Sequence, residues 1–273
     1  HTPYGGSILS RSAPLLALVV PCYNEEETLP RTLDALATLL HDLKSKGSVH
    51  PDSYALYVND GSRDRTWELL EERHATDPYC RAVSFAANAG HQNAVWAGMI
   101  TARDWGVDCI ISLDADLQDD IAAIPEMVAS YAQGNDIVYG VRNDRTTDTA
   151  FKRRTAHMFY GFMRWLKVPL IPDHADYRLL SKRATENLLD FDEVNLFLRG
   201  IVPMVGFQST TVEYERGERF AGESKYPLGK MVTFAFEGIT SLSVKPIRMI
   251  TIGGLLICLI SLGMLIKSFV DYF

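Results

Sequence analysis

Short runs rich in Val, Ile and Tyr alternate with longer stretches of helical periodicity, and this alternation constrains the fold more than any other feature of the chain. A strand that is apolar on both faces must be covered on both. Parallel neighbours in such a sheet need long crossover connections, which helices supply. Strands are predicted at Leu15–Val20, Tyr54–Val58, Ala82–Phe85, Cys109–Leu113 and Asp136–Val141, with helices at Glu25–Lys44, Arg65–Ala75, Gln92–Asp104 and Ile124–Gln133. The expected class is α/β, Rossmann-like, with a mostly parallel sheet. Polar loops follow three strands: PCYNEE after the first, NDGSRD after the second and DADLQDD after the fourth. Ligands of open α/β sheets bind outside the carboxyl ends of the strands, so these loops should face one crevice.

Composition narrows the function class. With 47% hydrophobic residues in 273, the chain can bury a sizeable core, and its net charge of −7 argues against a nucleic-acid partner, which wants a basic footprint. Cys22, Cys80, Cys109 and Cys258 lack metal-ligand spacing, and a reduced compartment is favoured. Residues 1–14 begin HTPYGG without a signal-peptide pattern and read as a flexible, processed or artificial end.

The other end is different. Met249–Ile266 carries no charge and has the length of a short bilayer-spanning helix; a buried core helix is the alternative. Lys225, Lys230, Lys245 and Arg248 precede it and Lys267 opens the 267–273 tail, so the positive-inside tendency places the catalytic domain in the cytoplasm. Two further segments read as amphipathic and basic. Residues 151–166 gather Phe151, Met158, Phe159, Phe162 and Leu166 on one helical face, and 228–248, centred on Leu228–Val244, leads into the span. Either could pack on the sheet or lie in a membrane interface.

The loops carry the chemistry. Crowded carboxylates repel unless a cation or donors lie between them, so SLDADLQDD is either a solvated turn or a metal site. Asp114 and Asp116, with the Gln118 amide oxygen as a third ligand, suit a hard divalent cation that also holds phosphate oxygens. Asp119 and Asp120 read as ordinary residues opening the next helix. In NDGSRDRT, Asp60 either accepts from a nucleobase N–H or belongs to a capping turn, Gly61 bends the backbone, and Asp64 caps the helix that follows.

VPCYNEEETL, VNDGSRDRT, NAGHQNAVWAGM, SLDADLQDD, HADYRLLS, NLFLRGI and RFAGESKYPLGKM, in this order and before an apolar span, resemble the family-2 glycosyltransferases that load a sugar onto polyisoprenyl phosphate, the bactoprenol glycosyltransferase and dolichyl-phosphate mannose synthase group. The resemblance covers residues 15–266. It implies a GT-A fold whose nucleotide-sugar and metal half spans 15–150 and whose acceptor side spans 151–227. It further implies a UDP-sugar donor, Mg or Mn, inverting transfer to undecaprenyl phosphate, and a bacterial plasma-membrane location. By resemblance the nucleoside falls to Pro21, Tyr23, Glu25 and Asp60, and the metal and diphosphate to Asp114, Asp116 and Gln118. Asp176 matches the acidic residue near sugar and acceptor, although Ala175 stands where the family often has Gly. Gly161 before Arg164 and Trp165 breaks the Gln-x-x-Arg-Trp pattern of processive synthases. Similar bacterial enzymes carry a second span and form tetramers through their C-terminal region, so a shortened chain is expected, and a homo-oligomer is left open because a single span would weaken such an assembly.

A phosphate monoester with a second pKa of about 6 is already a nucleophile at neutral pH. The site then needs cations more than a base. Arg142, Arg178, Arg219 and Lys225, with the Ser224 hydroxyl, are the candidates for the acceptor phosphate, and Asp176, Asp116 and Arg178 for the reacting centre. Glucose or an N-acetylhexosamine is the expected sugar. The rival readings are transfer to a lipid or polymer hydroxyl, with Asp176 as base, and a non-catalytic nucleotide-sugar-binding membrane scaffold.

Overall fold

LALVVPC forms β1 (Leu16–Cys22), buried along its whole length in the computed structural model, which describes residues 13–143, 174–191, 198–215 and 245–272. The next four expected strands follow as β2 (Tyr54–Asn59), β3 (Cys80–Ser84), β4 (Cys109–Ser112) and β5 (Ile137–Arg142). Between them lie α1 (Leu29–Ser45), α2 (Thr66–Thr76), α3 (His91–Asp104) and α4 (Ile124–Ala132). Two strands go beyond the sequence-based expectation, β6 (His174–Ser181) and β7 (Ser209–Tyr214), along with the short helices α5 (Lys182–Leu189) and α6 (Leu198–Ile201). All seven strands share one sheet in the order β3-β2-β1-β4-β6-β5-β7. Every pair is parallel except those of β6, which runs antiparallel between β4 and β5.

The helices cover the sheet as their periodicity requires. Leu29, Leu33, Leu36, Leu40 and Leu43 bury one stripe of α1. This helix starts four residues later than expected, because the Glu25 carbonyl closes a turn onto the N–H groups of Thr28 and Leu29 and Pro30 sets the first helical turn. Helix α3 lies on β1 and β2 at a point where no side chain fits: a Cβ on Gly98 would stand 2.3 Å from Val19 Cγ1.

The chain divides into two units, residues 1–148 with 171–224 and residues 149–170 with 225–273. In the second, α7 (Lys245–Tyr272) is one continuous helix. Its apolar segment, Ile250–Tyr272, is 23 residues long, about 35 Å at 1.5 Å per residue, and reaches beyond the expected end at Ile266. Leucines and isoleucines are exposed around its circumference, from Ile250 to Ile266. It is long and apolar enough to anchor the chain in a membrane. The expected amphipathic helix at 151–166 and the segment 228–244 lie outside the described residues.

Candidate active site

Strand order reverses between β1 and β4, since β2 lies on one side of β1 and β4 on the other. That switch point opens the crevice at which loops after β1, β2 and β4 meet. The first two loops are stitched to each other. The Asn24 N–H donates to Ser62 Oγ (3.0 Å) while Asn24 Oδ1 accepts from the Arg63 N–H (2.9 Å). Glu26 and Asp64 exchange in the same way at 3.1 and 3.0 Å, with Arg65 N–H as the second donor. Asp64 also accepts from Thr66 N–H, the capping role expected of it. Asn24 adopts φ +54°, a conformation these bonds hold in place.

Asp60 is buried, and its carboxylate accepts from Ala89 N–H (2.7 Å), Gly90 N–H (3.0 Å) and Asn88 Nδ2 (2.9 Å), joining the β2 loop to the turn before α3. Close approach makes the adjacent glycine necessary. Gly61 has φ +65°, and a Cβ there would lie 2.5 Å from the Ala87 carbonyl carbon. Along the resulting floor Pro21 is buried, Tyr23 is exposed, and the Glu25 carboxylate accepts from Thr28 Oγ1.

After β4 the chain turns through Asp116, whose Oδ1 accepts from Gln118 N–H (3.1 Å), with Leu117 at φ +53° between them. Gln118 is buried in this turn. Asp120 caps the following helical turn through Ala122 N–H, as its position suggested. Asp119 corrects the sequence reading. It is no ordinary helix-opening residue but a buried anchor: Tyr214 Oη donates to it, and Arg142 reaches both Tyr214 Oη (3.1 Å) and Asp119 (3.5 Å). The aspartate-rich turn is thereby pinned to the ends of β5 and β7.

Because β6 is antiparallel, its beginning lies where β4 ends. Ser112 pairs with Arg178, and the Ser112 hydroxyl donates to the Asp176 carbonyl (2.6 Å); continuing the register brings Asp176 opposite Asp114. Asp176 is 11% exposed and receives Arg178, Arg199 Nη2 (3.1 Å) and Gln92 Nε2 (3.5 Å). His91 Nε2 stands between the two acids, 3.7 Å from Asp114 and 3.8 Å from Asp176. Burial alone would raise the Asp176 pKa, but Arg199 and Arg178 outweigh it and hold the carboxyl well below the usual range. Asp114 goes the other way. Burial, and the carboxylates at 176, 119 and 116, push it up to about 6 against the pull of His91.

The glycosyl transferase family 2 model matches residues 17–189. The chain belongs to that family. The uncharacterized glycosyltransferase YkoT of Bacillus subtilis is 48% identical over 96% of this chain and 78% of its own length. The bactoprenol glucosyl transferase of Shigella phage SfV is 38% identical over 90% of this chain and 78% of its own. Among solved structures, glucosyl-3-phosphoglycerate synthase of Mycobacterium tuberculosis, in complex with Mn2+, UDP-glucose and phosphoglyceric acid, superposes with a TM-score of 0.53 at 17% identity, covering 84% of this chain and 78% of that one. The sheet is that of a GT-A glycosyltransferase.

On this family-2 fold Tyr23 and Glu25 follow β1, Asp114 and Asp116 follow β4, Arg142 ends β5, and His91 brings Asp114 and Asp176 together. Arg219, Ser224 and Lys225 lie outside the described residues. Arg178 is a second correction. At 1% exposure it cannot touch a substrate; it lies under Asp176 and donates to the Leu198 carbonyl (3.2 Å), a positioning residue. The sequence reading passes over Arg199, His91 and Gln92 as site residues, although they stand inside NLFLRGI and NAGHQNAVWAGM. The site also fits a hard divalent ion. Two carboxylates at the strand end suit Mg or Mn, which take one or two protein ligands and complete their shell with phosphate oxygens and water. The carboxylates at 176, 119 and 116 all act on Asp114, so a cation there meets a favourable field.

Proposed function

We propose that this family-2 enzyme transfers a sugar from a UDP-sugar, with glucose or an N-acetylhexosamine as the sugar, to polyisoprenyl phosphate, inverting the anomeric centre at the cytoplasmic face of a bacterial plasma membrane. The observation that carries the reading is the state of Asp176. Its carboxylate is engaged by Arg178 and Arg199 and held ionised well below the usual range, so it is a poor proton acceptor. A nucleophile that arrives already ionised asks no proton transfer of it, which is the case for a phosphate monoester and not for a sugar or lipid hydroxyl. The name of the phage relative, a bactoprenol glucosyl transferase, points to the same acceptor class, and the exposed apolar helix α7 is suited to keeping the crevice near a lipid headgroup.

In mechanism, the stitched loops carrying Tyr23 and Glu25 hold the nucleoside, with Asp60, buried at 2% exposure and bonded to the 88–90 turn, bracing them from beneath in place of the nucleobase contact expected of it, and Asp114 and Asp116, with Gln118, would hold Mg or Mn. The ion, when bound, neutralises the departing diphosphate. Asp176 and its guanidinium partners keep the anomeric carbon facing the acceptor oxygen, and Arg142, Arg219, Ser224 and Lys225 receive the acceptor phosphate. The test is transfer of label from a panel of UDP- and GDP-sugars to undecaprenyl phosphate, with Mn2+ and with EDTA. Metal-dependent labelling of the lipid supports the reading, and failure of every donor refutes it. A hydroxyl acceptor is favoured by one feature only, the imidazole of His91 beside both acids. Under that reading His91→Gln abolishes transfer; under ours activity persists.

A further inference from the structure

Leu198 and Arg199 are held with unusual care for residues of a four-residue helix. The Leu198 N–H donates to Gln92 Oε1 (3.3 Å), and its carbonyl accepts from the buried Arg178 Nη1 (3.2 Å). Gln92 and Arg178 thus grip the backbone of Leu198 through both its N–H and its carbonyl. The next residue, Arg199, then lays Nε and Nη2 against the Asp176 carboxylate at 3.4 and 3.1 Å. Asp176 is held ionised by both guanidiniums, Arg199 and the buried Arg178, so it is shared between one cation that is enclosed and one that is not. The contact works in both directions: Arg199 stabilises the carboxylate, and Asp176 fixes the guanidinium plane while 37% of the side chain stays exposed. Among the described residues, Asp114 at the end of β4 and Arg142 at the end of β5 also act on its charge. A planar cation, oriented before any ligand arrives and more than one third exposed, has the features of a phosphate-binding fork.

We infer that Arg199 is a phosphate-binding residue of the reaction centre, taking an oxygen of either the donor diphosphate or the acceptor phosphate, and that Gln92, Arg178 and Asp176 are the positioning residues that aim it. The inference rests on the proposed transfer for its second source only, because a nucleoside diphosphate alone tests the first. Pre-orientation matters here, since a guanidinium already fixed loses little further freedom on binding.

The test uses the full chain in detergent micelles with Arg199→Gln and Arg199→Lys. Calorimetric titration with UDP and with UMP in the presence of Mn2+ is one arm, and the KM for undecaprenyl phosphate is the other. Loss of one charge-assisted hydrogen bond should weaken binding by about 10- to 100-fold. If the donor diphosphate is the ligand, UDP affinity falls in that range and UMP affinity holds; if the acceptor is the ligand, UDP affinity holds and the lipid KM rises. Arg199→Lys restores part of the affinity, and the exposed Lys46→Gln serves as a charge-matched control. Wild-type melting behaviour in the variants guards against misfolding, with Gln92→Ala as a second variant that should reproduce a weaker form of the same defect. UDP affinity and lipid KM both within about twofold of wild type in Arg199→Gln would overturn the inference. Should wild type transfer nothing to the lipid, the acceptor reading fails by itself and the UDP arm alone decides the role of Arg199.

Discussion

Replacing Asp176 with Asn tests whether this carboxylate is a structural counter-ion, because the consequence falls on a residue that cannot escape. Arg178 is 1% exposed, its Nε has no hydrogen-bond partner, and its charge is balanced by Asp176. Asp176→Asn keeps the shape and removes the charge. Breaking a buried pair so that one ion is stranded costs about 3–5 kcal/mol. For a unit of this size each kcal/mol lowers Tm by about 2–4 °C, so the expected fall is about 6–20 °C. The pH dependence follows from the sign of the shift. The folded pKa lies below the unfolded value of about 3.9, so the stabilisation is fully present above that value and is lost as pH falls through the folded pKa. At pH 6–8 the difference between wild type and variant should therefore be complete and flat. The assay is thermal melting of the full chain in detergent, followed by tryptophan fluorescence, for Asp176→Asn, Arg178→Met and the double variant. Removing both ions strands neither, so the double variant should be less destabilised than the sum of the singles by at least about 1.5 kcal/mol. Additive effects, or an Asp176→Asn Tm within about 2 °C of wild type, which is roughly 1 kcal/mol, would show that Arg178 is balanced elsewhere and that Asp176 is not its counter-ion.

The other expectations are shorter. Gly61→Ala adds a Cβ against the 87–88 backbone at a positive φ, and should cost about 2–4 kcal/mol and weaken UDP binding; an unchanged Tm would mean the loops yield freely. Tyr214→Phe removes the hydroxyl that donates to buried Asp119, an expected loss of about 1–3 kcal/mol in urea unfolding, with a drop in metal-dependent UDP affinity as the turn at 114–120 loosens. Asp114→Asn should abolish the difference between UDP titrations run with Mn2+ and with EDTA; a surviving difference would place the ion elsewhere. Deleting residues 245–273 should release the protein from membranes into alkaline carbonate, whereas retention by the pellet would refute the anchoring role of α7.

How far the sequence revealed this arrangement depended on what each residue's identity encodes. Fully apolar strands and an amphipathic α1 declare themselves, because burial of a whole element needs many residues of one kind. Strand β6 does not. HADYRLLS carries Asp176 and Arg178 in the middle of a sheet, and charge is the usual sign of an exposed segment. Strand β7 is an edge strand that turns only Val212 and Tyr214 fully inward, too weak a pattern to separate from a loop. The same blindness to depth explains Arg178 and Asp119. Sequence shows a guanidinium and a carboxylate; only the fold shows that each is buried against a specific partner. Asp114 and Asp116 were legible because two acids at the end of an apolar strand are costly unless something binds there.

The crevice is electrically divided, and the division bears on the chemistry it can perform. Around Asp114 burial, and then the carboxylates at 176, 119 and 116, raise the pKa. A few ångströms away, across His91, two guanidiniums converge on one carboxylate until its pKa falls. The first region attracts a cation and the second an anion, and His91 spans the seam. A donor diphosphate carried with a divalent ion is itself such a pair of charges, and a phosphate acceptor brings a further anion. An acceptor hydroxyl would bring neither charge and would find in Asp176 a poor acceptor for its proton, leaving that task to His91. The antiparallel run of β6 between β4 and β5 is what brings Asp176 and its guanidiniums to the end of β4, beside Asp114, and the proposed phosphate acceptor is matched to that division of charge.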